Sequence, residues 1–146
     1  LIQRGLAALA RAEGLGGARG PYALQAAISA CHARAPTADE TDWARIASLY
    51  AELVEVVPSP VVELNRAVAV SMAVGPARGL AIVDALVEDG ALDGYHLLPG
   101  VRGDLLSKLG RHAEARAELE RAASMTRNAR ERELLLQRAA ACARAP

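Results

Sequence analysis

At 146 residues the chain is long enough for one domain with a buried core. Its 17 Lys and Arg balance 17 Asp and Glu, and it has no Phe, one Trp and three Tyr. That balance lacks the basic footprint of a nucleic-acid binder and the aromatic platform on which single-stranded bases stack. No apolar run is long enough to cross a membrane.

Helical periodicity runs through the whole chain, and strand patterning is nearly absent. A first helix is expected over 1–14, ended by Gly14 and followed by a flexible Gly14–Gly17 loop. The chain opens inside this helix at Leu1 without a Met, which suggests a segment of a longer protein. Gly20-Pro21 starts a helix over 21–35, because Pro at the first helical position lacks only an N–H that would be orphaned anyway. Thr37 with Glu40 has capping-box spacing and predicts a start at 38 for a helix reaching 57. Trp43 and Tyr50, seven residues apart on it, are expected to anchor the core. Ser59-Pro60 opens 60–74, whose Val61–Val74 run is apolar nearly all round and should lie buried between neighbours. Gly75-Pro76 opens 77–89.

The helix over 95–109 contains an internal conflict. Pro99 lies five residues after Gly94, so the helix should kink or start near Leu98. Gly100 and Gly103 weaken it further. Gly110 stops it, and a helix over 111–126 follows. Asn128 with Glu131 forms a second capping-box pattern and opens 129–144. There Leu134, Leu135, Ala139 and Cys142 should face inward while Arg130, Arg132 and Arg138 stay wet.

The later helices start near 60, 77, 95, 112 and 129, a step of about 17 or 18 residues, and two steps make one tetratricopeptide-like repeat. The 34 residues from Tyr95 to Asn128 fit that pattern best. Gly103 takes the small position of the first helix, and Ala115, Leu119 and Ala122 take the small, large and small positions of the second. Gly79, Val83 and Leu86 occupy the same places in the preceding pair, with a one-residue gap. The predicted fold is therefore all-α: a right-handed superhelix of antiparallel helix pairs, about seven or eight helices, in a single domain over 1–146. The pairs lie near 21–57, 60–89 and 95–126, between an N-terminal helix and a capping helix over 129–144. A unit of this kind buries its apolar face only by stacking on its neighbours.

Residues with chemistry are sparse. His32, His96 and His112 lie on three different helices without a partner at metal-ligand spacing, and no P-loop, HExxH, CxxC or nucleophile elbow occurs. No catalytic residue, metal or cofactor is expected. Cys31 and Cys142 read as small buried hydrophobes in a reducing cytosol. The acidic pairs Asp39–Asp42 and Glu88–Asp89 fall at helix ends, where dipole interactions suffice. One constellation remains. Tyr22, Gln25, Ser29 and His32 recur at i, i+3, i+7 and i+10, one stripe of a helix whose other side carries Ala23, Leu24, Ala27, Ile28 and Cys31. The matching face of the second pair carries Asn65, Ala69 and Met72, with Arg66 at its edge. The third carries Leu97, Asp104 and Ser107 near Tyr95 and His96. In tetratricopeptide superhelices the first helix of each pair lines the concave face, so these residues are candidate groove positions for a peptide or a neighbouring domain. A second possibility is a small-molecule sensor with its ligand among Tyr22, His32, Asn65 and Tyr95.

The segments GPYALQAAISACHARAPTADETDWARIASLY, PSPVVELNRAVAVSMAVGPARGLAIVDAL and GYHLLPGVRGDLLSKLGRHAEA resemble the C-terminal tetratricopeptide-like extension of a subgroup of extracytoplasmic-function RNA polymerase sigma factors. The resemblance covers essentially the whole chain. It implies a bacterial, cytoplasmic transcription-initiation factor whose promoter-binding domains are absent from this segment. It implies that the segment regulates those sigma domains, or contacts RNA polymerase or a regulatory protein, without touching DNA or a membrane itself.

Overall fold

The computed structural model describes residues 20–145, and every element in that span is helical. The expected helix over 1–14 and the Gly14–Gly17 loop lie outside the described residues. Seven α-helices follow in order: α1 (Pro21–Arg34), α2 (Trp43–Val56), α3 (Pro60–Val74), α4 (Pro76–Asp89), α5 (Leu97–Lys108), α6 (His112–Met125) and α7 (Ala129–Arg144). A short 3-10 turn, Ala38–Glu40, precedes α2. The chain divides into two compact units, the first running to Ala73 and the second starting at Val74.

In the first unit α1 packs on α2. Its core joins Leu24, Ala27, Ile28, Ala30 and Cys31 of α1 to Ile46, Leu49 and Leu53 of α2 and Ala69 of α3. Trp43 and Tyr50 pack against this core, as their spacing predicts. The start of α2 differs from expectation by five residues. Thr37 supplies only its backbone carbonyl, to the Glu40 N–H, while the Asp42 carboxylate accepts from the Arg45 N–H at 3.1 Å and becomes the cap. A carboxylate at this position satisfies one of the orphan N–H groups of the first turn. The expectation for Val61–Val74 is also corrected. Leu64, Ala67 and Ser71 are buried along one side and Ala69 on another, whereas Val61, Met72 and Val74 are exposed, so α3 is buried on two sides and open along the rest. Ala69 belongs to the core and not to the open face.

In the second unit consecutive helices pack in sequence: α4 on α5, α5 on α6 and α6 on α7. Pro99 falls at the third position of α5, inside the first turn. The Tyr95 carbonyl that its missing N–H would have served accepts instead from the Leu98 N–H at 3.1 Å, so the helix starts at Leu97 with that carbonyl satisfied. Its other end is a Schellman motif. Arg111 N–H donates to the Leu106 carbonyl at 2.9 Å and Gly110 N–H to Ser107 at 3.0 Å, with Gly110 at φ 78°.

The packing of α5 on α6 explains Gly103. A Cβ there would sit 2.8 Å from Leu119 Cγ and 3.2 Å from the Ala115 carbonyl oxygen, so only glycine admits this approach. Ala115, Leu119 and Ala122 are all buried, as are Gly79, Val83 and Leu86 on α4. The small–large–small pattern is thus the packing surface the repeat demands.

On α7, Leu135, Ala139 and Cys142 are buried as expected, but Leu134 is 52% exposed. Successive helix positions turn by about 100°, and the turn that buries Leu135 carries its neighbour away. Only one arm of the second capping box forms. Asn128 Oδ1 accepts from the Glu131 N–H at 2.9 Å, but the Asn128 N–H goes to Thr126 Oγ1 and the Glu131 carboxylate turns to His96. Arg132 is exposed yet engaged, donating to the Ala123 and Thr126 carbonyls and closing the C-terminus of α6.

Candidate functional site

The stripe on α1 exists as a surface. Tyr22 is 81% exposed, and Gln25, Ser29 and His32 are exposed in line with it, while Leu24, Ala27, Ile28, Ala30 and Cys31 are buried behind them. Pro21 sets the helix start, and the apolar positions fix which side faces the core. His32 closes the row by meeting the Trp43 ring edge-on, centroids 5.5 Å apart at 79°. The Trp43 Nε1 beside it is buried without a hydrogen-bond partner. Below the stripe, burial raises the pKa of the Cys31 thiol above its ordinary range; Arg45 and Arg34 act in the opposite direction and Asp42 adds to the rise. A neutral buried thiol is a packing group and a poor nucleophile.

On α3, Asn65 is exposed, and Arg66 donates from Nε to Glu63 Oε1 at 2.7 Å on its own helix. The face offered there is neutral: an amide, with the neighbouring charge already paired.

In the second unit the candidate residues are drawn into interhelical contacts. Tyr95 and His96 meet edge to face at 5.9 Å, and His96 Nε2 lies 2.6 Å from Glu131 Oε1, tying the start of α5 to the start of α7. Asp104 accepts from Arg138 Nη2 at 2.7 Å and lies 3.4 Å from Lys108 Nζ. Ser107 Oγ receives a weak contact from the Cys142 thiol at 3.9 Å. Asp104 and Ser107 of α5, His112 of α6 and Arg138 of α7 line one cleft of about 320 Å³. Sequence reasoning singled out Asp104 and Ser107 but missed His112 and Arg138. A signal was present: Asp104 and Arg138 are 34 residues apart, one full repeat, which places them at matching positions of adjacent first helices.

Among the described residues no three His, Cys, Asp or Glu side chains gather to hold a metal, and no helix is long and apolar enough to cross a membrane.

Over 112 residues the chain is 52% identical to an uncharacterized protein of Rhizobium meliloti (strain 1021). That stretch is 77% of this chain and 26% of the relative, so the chain spans about a quarter of the length of the curated relative it matches. No protein-family profile matches the chain, and no solved structure matches it.

Proposed function

We propose that this chain is the C-terminal regulatory, protein-interaction domain of an alternative sigma factor of the extracytoplasmic-function type, acting in bacterial transcription initiation in the cytoplasm. It performs no catalysis. It presents the exposed side of α1, with Asn65 of α3, to the sigma domains of the same polypeptide, to RNA polymerase or to a regulatory protein.

The observation that carries the interaction reading is the α1 stripe. Four side chains able to hydrogen-bond stand in solvent on a helix whose opposite side is locked into a core. Neutral hydrogen-bonding groups with an exposed Tyr suit a protein surface, where aromatic anchors and adaptable polar contacts dominate binding. The balanced charge and the single Trp argue against direct contact with DNA. The sigma assignment rests on the resemblance of the three long segments. The bacterial relative of about four times the matched length supports it, since such a protein has room for promoter-binding domains.

The test has two parts. The coding sequence upstream of Leu1 should specify DNA-binding helices. Titration of this chain into the separately prepared sigma domains and core polymerase should give a saturable complex weakened by Tyr22→Ala and Gln25→Ala. An upstream region without such helices removes the sigma assignment. A complex indifferent to both substitutions removes the α1 surface.

A further inference from the structure

We propose that the cleft between α5 and α7 binds a small zwitterion of the α-amino-acid type, its ammonium on Asp104 and its carboxylate on Arg138. The proposal goes beyond the interaction role of α1 and does not depend on it.

The lining chemistry selects the class. Asp104 and Arg138 stand side by side at 2.7 Å on neighbouring helices, with side chains 45% and 47% exposed. Each has unused capacity. The guanidinium has five N–H groups, of which Asp104 takes one from Nη2, and the carboxylate has more acceptor sites than its two cationic neighbours fill. A lone anion in this cleft meets the Asp104 carboxylate, and a lone cation meets the Arg138 guanidinium. A ligand carrying both charges on adjacent atoms satisfies both partners without separating them. Ser107 adds a hydroxyl whose proton is uncommitted, its oxygen receiving only the long thiol contact. His112 lines the same wall with its Nδ1 buried and unpartnered.

Size and polarity agree. At about 30 Å³ per water-sized volume, the 320 Å³ cleft holds roughly ten non-hydrogen atoms, the scale of a free amino acid. Ala141 supplies apolar surface for a small side chain.

The experiment titrates the 146-residue chain with each standard amino acid by calorimetry and thermal shift, with acetate and methylammonium as half-ligands. At least one amino acid should bind saturably and raise the Tm, and both half-ligands should bind far more weakly. Asp104→Asn and Arg138→Gln should each weaken binding about tenfold or more, as expected for one charge-assisted hydrogen bond. Ala141→Leu fills the cleft while leaving the ion pair and helix intact, so it should abolish binding with the circular dichroism spectrum unchanged. No binding by any amino acid overturns the proposal. So does acetate binding as well as the best amino acid, or unchanged affinity in Ala141→Leu.

Discussion

Gly100 and Gly103 sit one turn apart on α5, yet their environments demand opposite responses to the same substitution. At Gly103 an added Cβ would enter the fully buried Leu119 side chain, which has no room to yield, so Gly103→Ala should destabilise by about 1–3 kcal/mol despite a better helix propensity. At Gly100 the nearest atom is the Ala122 Cβ at 3.9 Å, an ordinary contact. Gly100→Ala should therefore stabilise by about 0.5–1 kcal/mol, the intrinsic gain of Ala over Gly in a helix interior. Urea unfolding of the two variants checks the pair, and like signs would contradict the close-packing account. The Asn128 cap gives a third case: Asn128→Ala removes the acceptor for the Glu131 N–H and should cost about 1 kcal/mol in the same assay. Residue chemistry of this kind was partly legible in advance. Gly103 could be assigned a packing role from the repeat register, and Pro99 could be assigned to a helix start.

Between elements, the repeat period turns out to organise polar contacts as well as apolar ones. Asp104–Arg138 and His96–Glu131 link α5 to α7 across one repeat, and Asp84–Arg102 links α4 to α5 across half of one. Helix bounds were largely legible, α7 fully and α5 to within two residues, because caps and glycines mark them locally. The start of α2 was not, because Thr37 and Asp42 both offer cap chemistry and the short turn Ala38–Glu40 intervenes between them. The all-α class and consecutive packing followed from periodicity, whereas the cleft needed the register between non-adjacent helices. Elements α1 and α2 also set a pH response. Burial holds the Cys31 thiol and the Tyr50 phenol neutral above their ordinary values of 9.0 and 10.0. Stability from such groups is fully present below the unfolded value and is lost as pH rises through the folded one. Urea unfolding across alkaline pH should therefore show declining stability from about pH 9, and Cys31→Ala should delay the onset into the phenol range. A stability that rises over this interval would contradict the burial of both groups.

At the scale of the whole molecule, the described residues form a series of helices that bury their apolar sides by packing and leave their distinctive chemistry on surfaces. The first unit keeps a polar stripe in solvent, and the second ties many of its polar residues into pairs between helices, one of which, Asp104–Arg138, lines a small cleft. Gln25 and Asn65 are exposed, so Gln25→Ala and Asn65→Ala should leave the Tm nearly unchanged, within the small range of ordinary surface substitutions. Any effect of those substitutions should fall on binding. The central claim is that this segment regulates the sigma domains of a longer polypeptide through that surface. The most direct measurement is promoter-dependent transcription in vitro by the full-length protein, compared with the same protein lacking this segment and with the Gln25→Ala, Asn65→Ala double variant. The account predicts that deletion changes transcript yield and that the double variant shifts it in the same direction. Equal yields from all three proteins would contradict it.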